Sequence, residues 1–310
     1  MALNILPRAL NYLEAVARLG SIQGASRSLG IAASAIDRQI IALEEVCQTP
    51  LFERHARGMR LTSAGEAAVL LARRWRADEE RLEDDLCTMR GEQFGTVRLG
   101  TMDSLANSIL PDLVKVFSAR YPKIRFAINI MTPQDAAREL EIGTIDLALA
   151  FNLPSDQGRH TLWSAPLPFG CVVGEGHPLW RASKTTLSEA SKYPLAAQSR
   201  ELPVRAYLEK RYGWLFDPAE PALVTNSLQF LKQVLIGGTY LSITSRLDAL
   251  RELENGTLSF VPLADKGLRP QTISIAVDAR RPLSRAARLV GEALAEMLPA
   301  RLAGAVESAA

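Results

Sequence analysis

Apolar residues first recur with a helical period between Leu6 and Leu19, where Leu10, Leu13, Val16 and Ala17 form one stripe. Gly20 stands where such a helix would stop, and Ser21 is placed to cap the next one. A short helical run from Ile22 to Leu29 ends at Gly30. A third run, Ile31 to Val46, carries Ile36, Ile40 and Leu43 three or four apart on one face. Ser34, Asp37, Arg38 and Gln39 fall on the other face. Two short helices with a tight turn, the second polar outward, predict a helix-turn-helix whose second helix reads a groove.

Thr49-Pro50 breaks that helix, and residues 51–62 read L-F-E-R-H-A-R-G-M-R-L-T. Apolar pairs at both ends bracket a polar turn with Gly58, which predicts a hairpin. Arg54, Arg57 and Arg60 make it a basic wing suited to phosphates.

Ser63-x-x-Glu66 has the form of a capping box. The run that follows is free of proline, and about 27 residues would reach roughly 40 Å. Leu71, Trp75, Leu82, Leu86 and Met89 lie near heptad spacing, flanked by Arg73, Arg74, Arg76 and the acids Glu79, Glu80, Glu83, Asp84 and Asp85. An apolar seam with charged flanks suits pairing with a second subunit, or packing on its own domain. Gly91 and Gly95 then mark a hinge.

From Thr96 the rhythm changes. Strand-like runs are 96–101, 125–130, 145–151, 171–174, 194–197, 222–225, 240–244, 258–262 and 272–277. Helical stretches at 104–120, 134–141, 204–212, 228–236 and 283–298 alternate with them. This predicts an α/β unit with largely parallel sheets, in two subdomains. Ligands in such sheets lie beyond the carboxyl ends of strands. Those ends carry Thr101, Asp103 and Ser104, then Thr132, then Phe151, and in the second subdomain Gln198, Asn226 and Thr244. Ser104, Thr132 and Ser227 are also ordinary helix caps. Converging helix N-termini predict a small organic effector bearing a carboxylate.

Composition narrows the class. The chain has 310 residues, enough for two or three domains, and 47% are hydrophobic. A net charge of +2 carries no bulk nucleic-acid signature. Residues 1–65 hold seven Arg, no Lys and five acids, so a case for DNA rests on placement. Three widely spaced Cys predict reduced thiols. There is no signal-like start and no membrane-length apolar run, which predicts a cytoplasmic location. His55, His160 and His177 form no metal motif, and no nucleophile motif occurs, so neither metal, cofactor nor catalysis is expected.

The order A-L-N-Y-L-E-A-V-A-R-L-G-S-I-Q-G-A-S-R-S-L-G-I, then A-I-D-R-Q-I-x-x-L-E, P-L-F-E-R and L-T-S-A-G resembles the winged helix-turn-helix of the LysR-type transcriptional regulators. Further on, G-T-V-R-L-G, L-P-D-L-V-K-V-F-S-A-R-Y-P, I-D-L-A-L-A and G-H-P-L look like their effector-binding part.

The resemblance implies an N-terminal all-α winged helix-turn-helix over 1–62 and a linker and dimerisation helix over 63–92. Residues 93–310 would form a two-lobed effector domain similar to periplasmic binding proteins. Lobe I would take about 95–163 and 271–300, and lobe II about 167–262. It implies double-stranded DNA with a dyad-symmetric operator, dimers or tetramers, a small-molecule effector and RNA polymerase as partners. The family usually has Ser-Gln-Pro at Ala32-Ala33-Ser34, Ser at Asp37 and Leu-Gly at Cys47-Gln48. Asp37 is placed either to accept from a cytosine amino group or to pair with a neighbouring arginine. The rival role is a small-molecule-binding protein whose N-terminal unit only dimerises. A regulator that binds DNA without an effector is a third possibility.

Overall fold

The computed structural model describes residues 5–55, 58–90, 95–216 and 221–303. The head consists of α1 (Arg8–Leu19), α2 (Ile22–Leu29), α3 (Ala33–Cys47) and a hairpin of β1 (Phe52–His55) and β2 (Gly58–Leu61). Leu10, Leu13, Val16, Ala25, Ile36 and Ile40 bury together with Leu51 and Phe52 from the wing. Gly20 and Gly30 end their helices in the left-handed region, and the Ser21 hydroxyl accepts from the Gly24 amide at 3.0 Å. Gln48 takes the same left-handed conformation (φ 52°) without being glycine.

Two polar ties set the wing. Glu44 Oε1 accepts from the amides of Leu51 (2.7 Å) and Phe52 (3.1 Å), fixing the wing to α3. The Met59 amide donates to Gly20 O at 2.8 Å, and a Cβ on Gly58 would stand 2.5 Å from that same oxygen. Of the expected wing arginines, Arg57 lies outside the described residues.

The shaft, α4 (Ser63–Met89), begins one residue earlier than a Ser63 capping box requires. Thr62 is the cap: its hydroxyl accepts from the Gly65 amide (3.0 Å) and donates to Pro50 O (2.8 Å). Gly65 is obligatory there, since a Cβ would lie 2.0 Å from Leu51 O. The charged flanks of α4 serve its own chain. Arg76 pairs with Glu14 (2.6 Å), and Glu79 accepts from the Leu6 amide (3.2 Å). Lower down, Arg81 Nη2 reaches Asp146 (3.2 Å) and Gly143 O (3.1 Å). Glu80 holds Arg98 (2.5 Å), and Asp84 accepts from the Thr96 amide (3.3 Å). Desolvation pushes the Asp84 carboxyl up, partly offset by that amide and by Arg98.

After the shaft come β3 (Gly95–Thr101), α5 (Asp103–Ser108), α6 (Leu110–Arg120), β4 (Ile124–Ile130), α7 (Pro133–Ile142), β5 (Leu147–Phe151) and β6 (Arg159–Leu167). Then follow β7 (Phe169–Gly174), α8 (Leu187–Ala190), β8 (Ala196–Gln198), α9 (Pro203–Arg211), β9 (Leu223–Thr225), α10 (Leu228–Ile236), β10 (Leu241–Ser245), α11 (Leu250–Glu254) and β11 (Leu258–Pro262). β12 (Gln271–Asp278) and α12 (Arg285–Ala303) come last in this order.

The first sheet has the order β4-β3-β5-β12-β6; the second is β10-β7-β11, with a separate pair β8-β9. The expectation of largely parallel sheets is corrected. β3, β4 and β5 are parallel, but β12 runs antiparallel to both β5 and β6, and β7 is antiparallel to both its neighbours. Only Pro168 separates β6 in the first sheet from β7 in the second, and the chain returns after Pro262 to add β12 to the first sheet, so the last strand enters from the other lobe rather than by a helical crossover within its own. The single helix expected over 104–120 is two, because Pro111 cannot donate within the helix. Gly95 opens β3 and is buried rather than hinge-like, while Gly91 lies outside the described residues.

Candidate nucleic-acid interface and interlobe cleft

On α3 the buried Ile36 and Ile40 leave Ser34, Arg38 and Gln39 exposed on the opposite side. Asp37 is not among the free groups: its carboxylate pairs with Arg54 of β1 at 2.8 Å. Ala32 caps α3 with no side-chain bond, so the helix presents bare amides where a phosphate could dock. Cross-strand register sets Arg54 opposite Met59, and Arg60 opposite Glu53. Opposed residues share a face, so Arg54 turns towards α3 while Arg60 lies on the other side of the wing.

Along α4, Leu71, Trp75 and Leu82 are 43–44% exposed and Met89 is 81% exposed, with Leu86 half-buried. The opposite face buries Val69, Ala72 and Ala77. The stripe therefore does not pack on its own domain.

Between the two sheets lies a cavity of about 280 Å³. Its wall includes Asp103, Ser104, Thr132, Phe151, Gln198 and Asn226, six of the eight residues expected at strand ends. Met102, Ile130, Met131, Leu202, Val204, Leu228 and Asp248 complete it. Thr101 and Thr244 are buried and bond inward, Thr101 to Leu149 O (2.9 Å) and Thr244 to the Asp248 carboxylate. Asn152 turns to β12, where it accepts from the Thr272 amide at 2.9 Å.

The cap hydroxyls are already spent. Thr132 Oγ1 accepts from the Asp135 amide (3.1 Å) and donates to its carboxylate (2.8 Å), and Ser227 Oγ accepts from the Phe230 amide (3.2 Å). Ser104 is not a cap; α5 starts at Asp103, and its cap position, Met102, makes no side-chain capping bond, its sulfur instead accepting from the Phe151 amide (3.4 Å). Among the described residues the cavity wall holds two carboxylates and no Lys, Arg or His, so the expected carboxylate effector meets no cation from them. Sequence reasoning misses Asp248; Ser245-x-x-Asp248 is a capping box, and that spacing is the available signal.

Among the described residues no cluster of His, Cys, Asp and Glu could hold a metal ion, and no helix is long and apolar enough to cross a membrane. Cys47, Cys87 and Cys171 are free, and burial pushes the Cys171 thiol up to about 12.

A head with an outward polar helix, a shaft with an apolar seam and a two-lobed cleft define a ligand-responsive helix-turn-helix regulator. Residues 7–66 match the bacterial regulatory helix-turn-helix protein, lysR family, and residues 90–299 match the LysR substrate binding domain. The chain belongs to the LysR family of transcriptional regulators. It is 26% identical over 276 residues to the HTH-type transcriptional regulator CbbR of Sinorhizobium medicae, covering 88% of this chain and 87% of that one. It is also 26% identical over 263 residues to the regulator GalR of Pseudomonas putida, covering 84% of this chain but 66% of that relative's length. A full-length OxyR variant from Pseudomonas aeruginosa shares the fold with a TM-score of 0.67 at 16% identity, over 94% of this chain and 95% of that one. CbnR in complex with its target DNA does so at 0.63 and 20%, over 98% and 99%.

Proposed function

We propose that this protein controls transcription by binding dyad-symmetric double-stranded DNA, with a small organic effector in the interlobe cleft setting its state. The observation that carries this is the polar outer face of α3, where Ser34, Arg38 and Gln39 are exposed above the buried Ile36 and Ile40, with Arg38 Nε donating to Ser34 O (3.2 Å). Ser34, Arg38 and Gln39 read bases, while Arg54, Arg57 and Arg60 meet phosphates. Subunits pair through Leu71, Trp75, Leu82, Leu86 and Met89, and pairs assemble into a tetramer through the effector domains. The protein works in the cytoplasm, contacts RNA polymerase at the promoter and catalyses no reaction.

Gel-shift of genomic fragments at two salt concentrations tests the reading. A preferred fragment that survives at higher salt supports it; equal binding to every fragment at both concentrations rejects it. Leu82→Glu tests the pairing by placing a charge in the seam. Sedimentation should show the oligomer giving way to monomers, and an unchanged mass would remove α4 from the interface.

A further inference from the structure

The interlobe cleft has a hydrogen-bonding polarity that the family assignment does not specify. Its body is apolar: Met102, Ile130, Met131, Phe151, Leu202, Val204 and Leu228. Of its six polar residues, Asp103, Gln198 and Asp248 present acceptors, the Thr132 hydroxyl is spent, and Ser104 and Asn226 can donate or accept. Asp248 is only 5% exposed, and its Oδ2 takes the Ser245 amide (3.0 Å), the Ser245 hydroxyl (2.7 Å) and the Thr244 hydroxyl. Among the described residues no group donates to Oδ1 and no cation pairs with this carboxylate. Gln198 points its amide nitrogen at Thr244 (3.3 Å), which leaves its carbonyl end for the cavity. Across the cleft, exposed Asp103 is held, among the described residues, by Asn107 alone (3.0 Å). The hydroxyl proton of Thr132 goes to Asp135.

The cations near these residues in sequence are turned elsewhere. Arg205 lies behind the wall with its guanidinium 3.7 Å over the Phe216 ring, and Arg246 sits 6.0 Å over Phe260. A buried carboxylate without a counter-ion is costly, and a ligand cation removes that cost.

We propose that the effector is a compact amine: an ammonium group that donates to Asp248 and Gln198, on an apolar body that fills the space between Met102, Met131 and Phe151. The capping role of Asp248 uses one oxygen, and the second is the ligand's. This inference rests on the regulator reading above.

The test is a thermal shift of the full chain with matched sets that share a body and differ in head group. One set is 2-phenylethylamine, 2-phenylethanol and 3-phenylpropionate; the other is hexylamine, hexanol and hexanoate. Bound ligand raises the melting temperature by mass action. At least one amine should raise it, and its matched acid should not. In Asp248→Asn, which keeps a capping acceptor, amine affinity should fall about tenfold or more, the scale of one charged hydrogen bond. Asp103→Asn, at the exposed rim, should lose about twofold to fivefold and leave the fold intact even if the first variant does not fold.

Acids that shift the melting point as much as amines, or no response to any amine, overturn the proposal. So does undiminished amine binding in a folded Asp248→Asn. Gel-shift on the same preparations separates the two failures. Sequence-preferring DNA binding without an amine response sinks the amine alone, whereas DNA binding without preference sinks the regulator reading beneath it.

Discussion

The head and the cleft place opposite charges on opposite shapes. The head offers arginines on a convex surface, with Arg38 and Arg60 exposed and a bare helix terminus beside them. The cleft offers carboxylates on a concave one, Asp103 at its rim and Asp248 at its floor. The head's shape comes from neighbours in sequence, tied by backbone contacts such as Met59 to Gly20. The cleft's wall is gathered from stretches as far apart in the chain as Met102 and Asp248. A surface built locally can be inferred from its own segment. A surface built from distant strand ends acquires its charge only when the chain has folded.

That contrast can be broken at several points. The largest effect is expected from Gly65→Ala, whose Cβ would meet Leu51 O at 2.0 Å. The head should lose about 3 kcal/mol. Calorimetry should show its transition fall while that of the effector half stays in place; a common fall would mean the two halves unfold as one. Gln48→Gly acts in the other direction, removing a left-handed conformation from a side chain and stabilising the head by about 1 kcal/mol. Denaturant midpoints should rise, and no change would mean that Gln48 is relaxed there.

Asp37→Asn releases Arg54. DNA affinity should rise about twofold to fivefold at low salt, and the salt slope should steepen by about one. Weaker binding would instead show that Asp37 reads a base.

The smallest effect belongs to the effector half. His177 is 3% exposed, accepts from the Leu179 amide through Nδ1 (3.1 Å) and meets the Tyr193 ring at a tilt, centroids 4.9 Å apart. Desolvation lowers its pKa, so its contribution to stability is present above the unfolded value and is lost as pH falls below about 6.5. His177→Asn keeps an acceptor and does not titrate. Its melting temperature should fall less than the wild type's on acidification, and equal falls would clear His177.

Much of the fold is legible in the sequence. The helices of the head are expected within two residues of their observed ends, because period, caps and glycine stops are short-range signals. β6 is not expected: its first half, His160 to Leu162, is exposed at the sheet edge, and Pro166 interrupts the alternation that Trp163, Ala165 and Leu167 carry. The direction of β12 is hidden because it depends on how the chain leaves and re-enters a lobe. In the cleft, strand ends are a sound guide to Gln198 and Asn226. They mislead at Thr101 and Thr244, where the hydroxyls satisfy buried partners instead. Asp37 is legible as an acid on the outer face of α3, but its partner comes from the wing, 17 residues away.

The salt bridges at the base of α4 have a mechanical consequence. Arg81, Glu80 and Asp84 key the shaft to Asp146, Arg98 and Thr96, all in or beside the first sheet. Axle and near wheel then turn together, and a swing of the far lobe would have to work against Arg251–Asp112 (2.9 Å) and Arg301–Glu254, the ion pairs that join it to the near one. A tightening of the cleft would reach the DNA as torque on a rigid axle. The give in the machine would sit at that seam between the lobes rather than at the collar, where Glu14, Thr62 and Gly65 bind the head to its shaft.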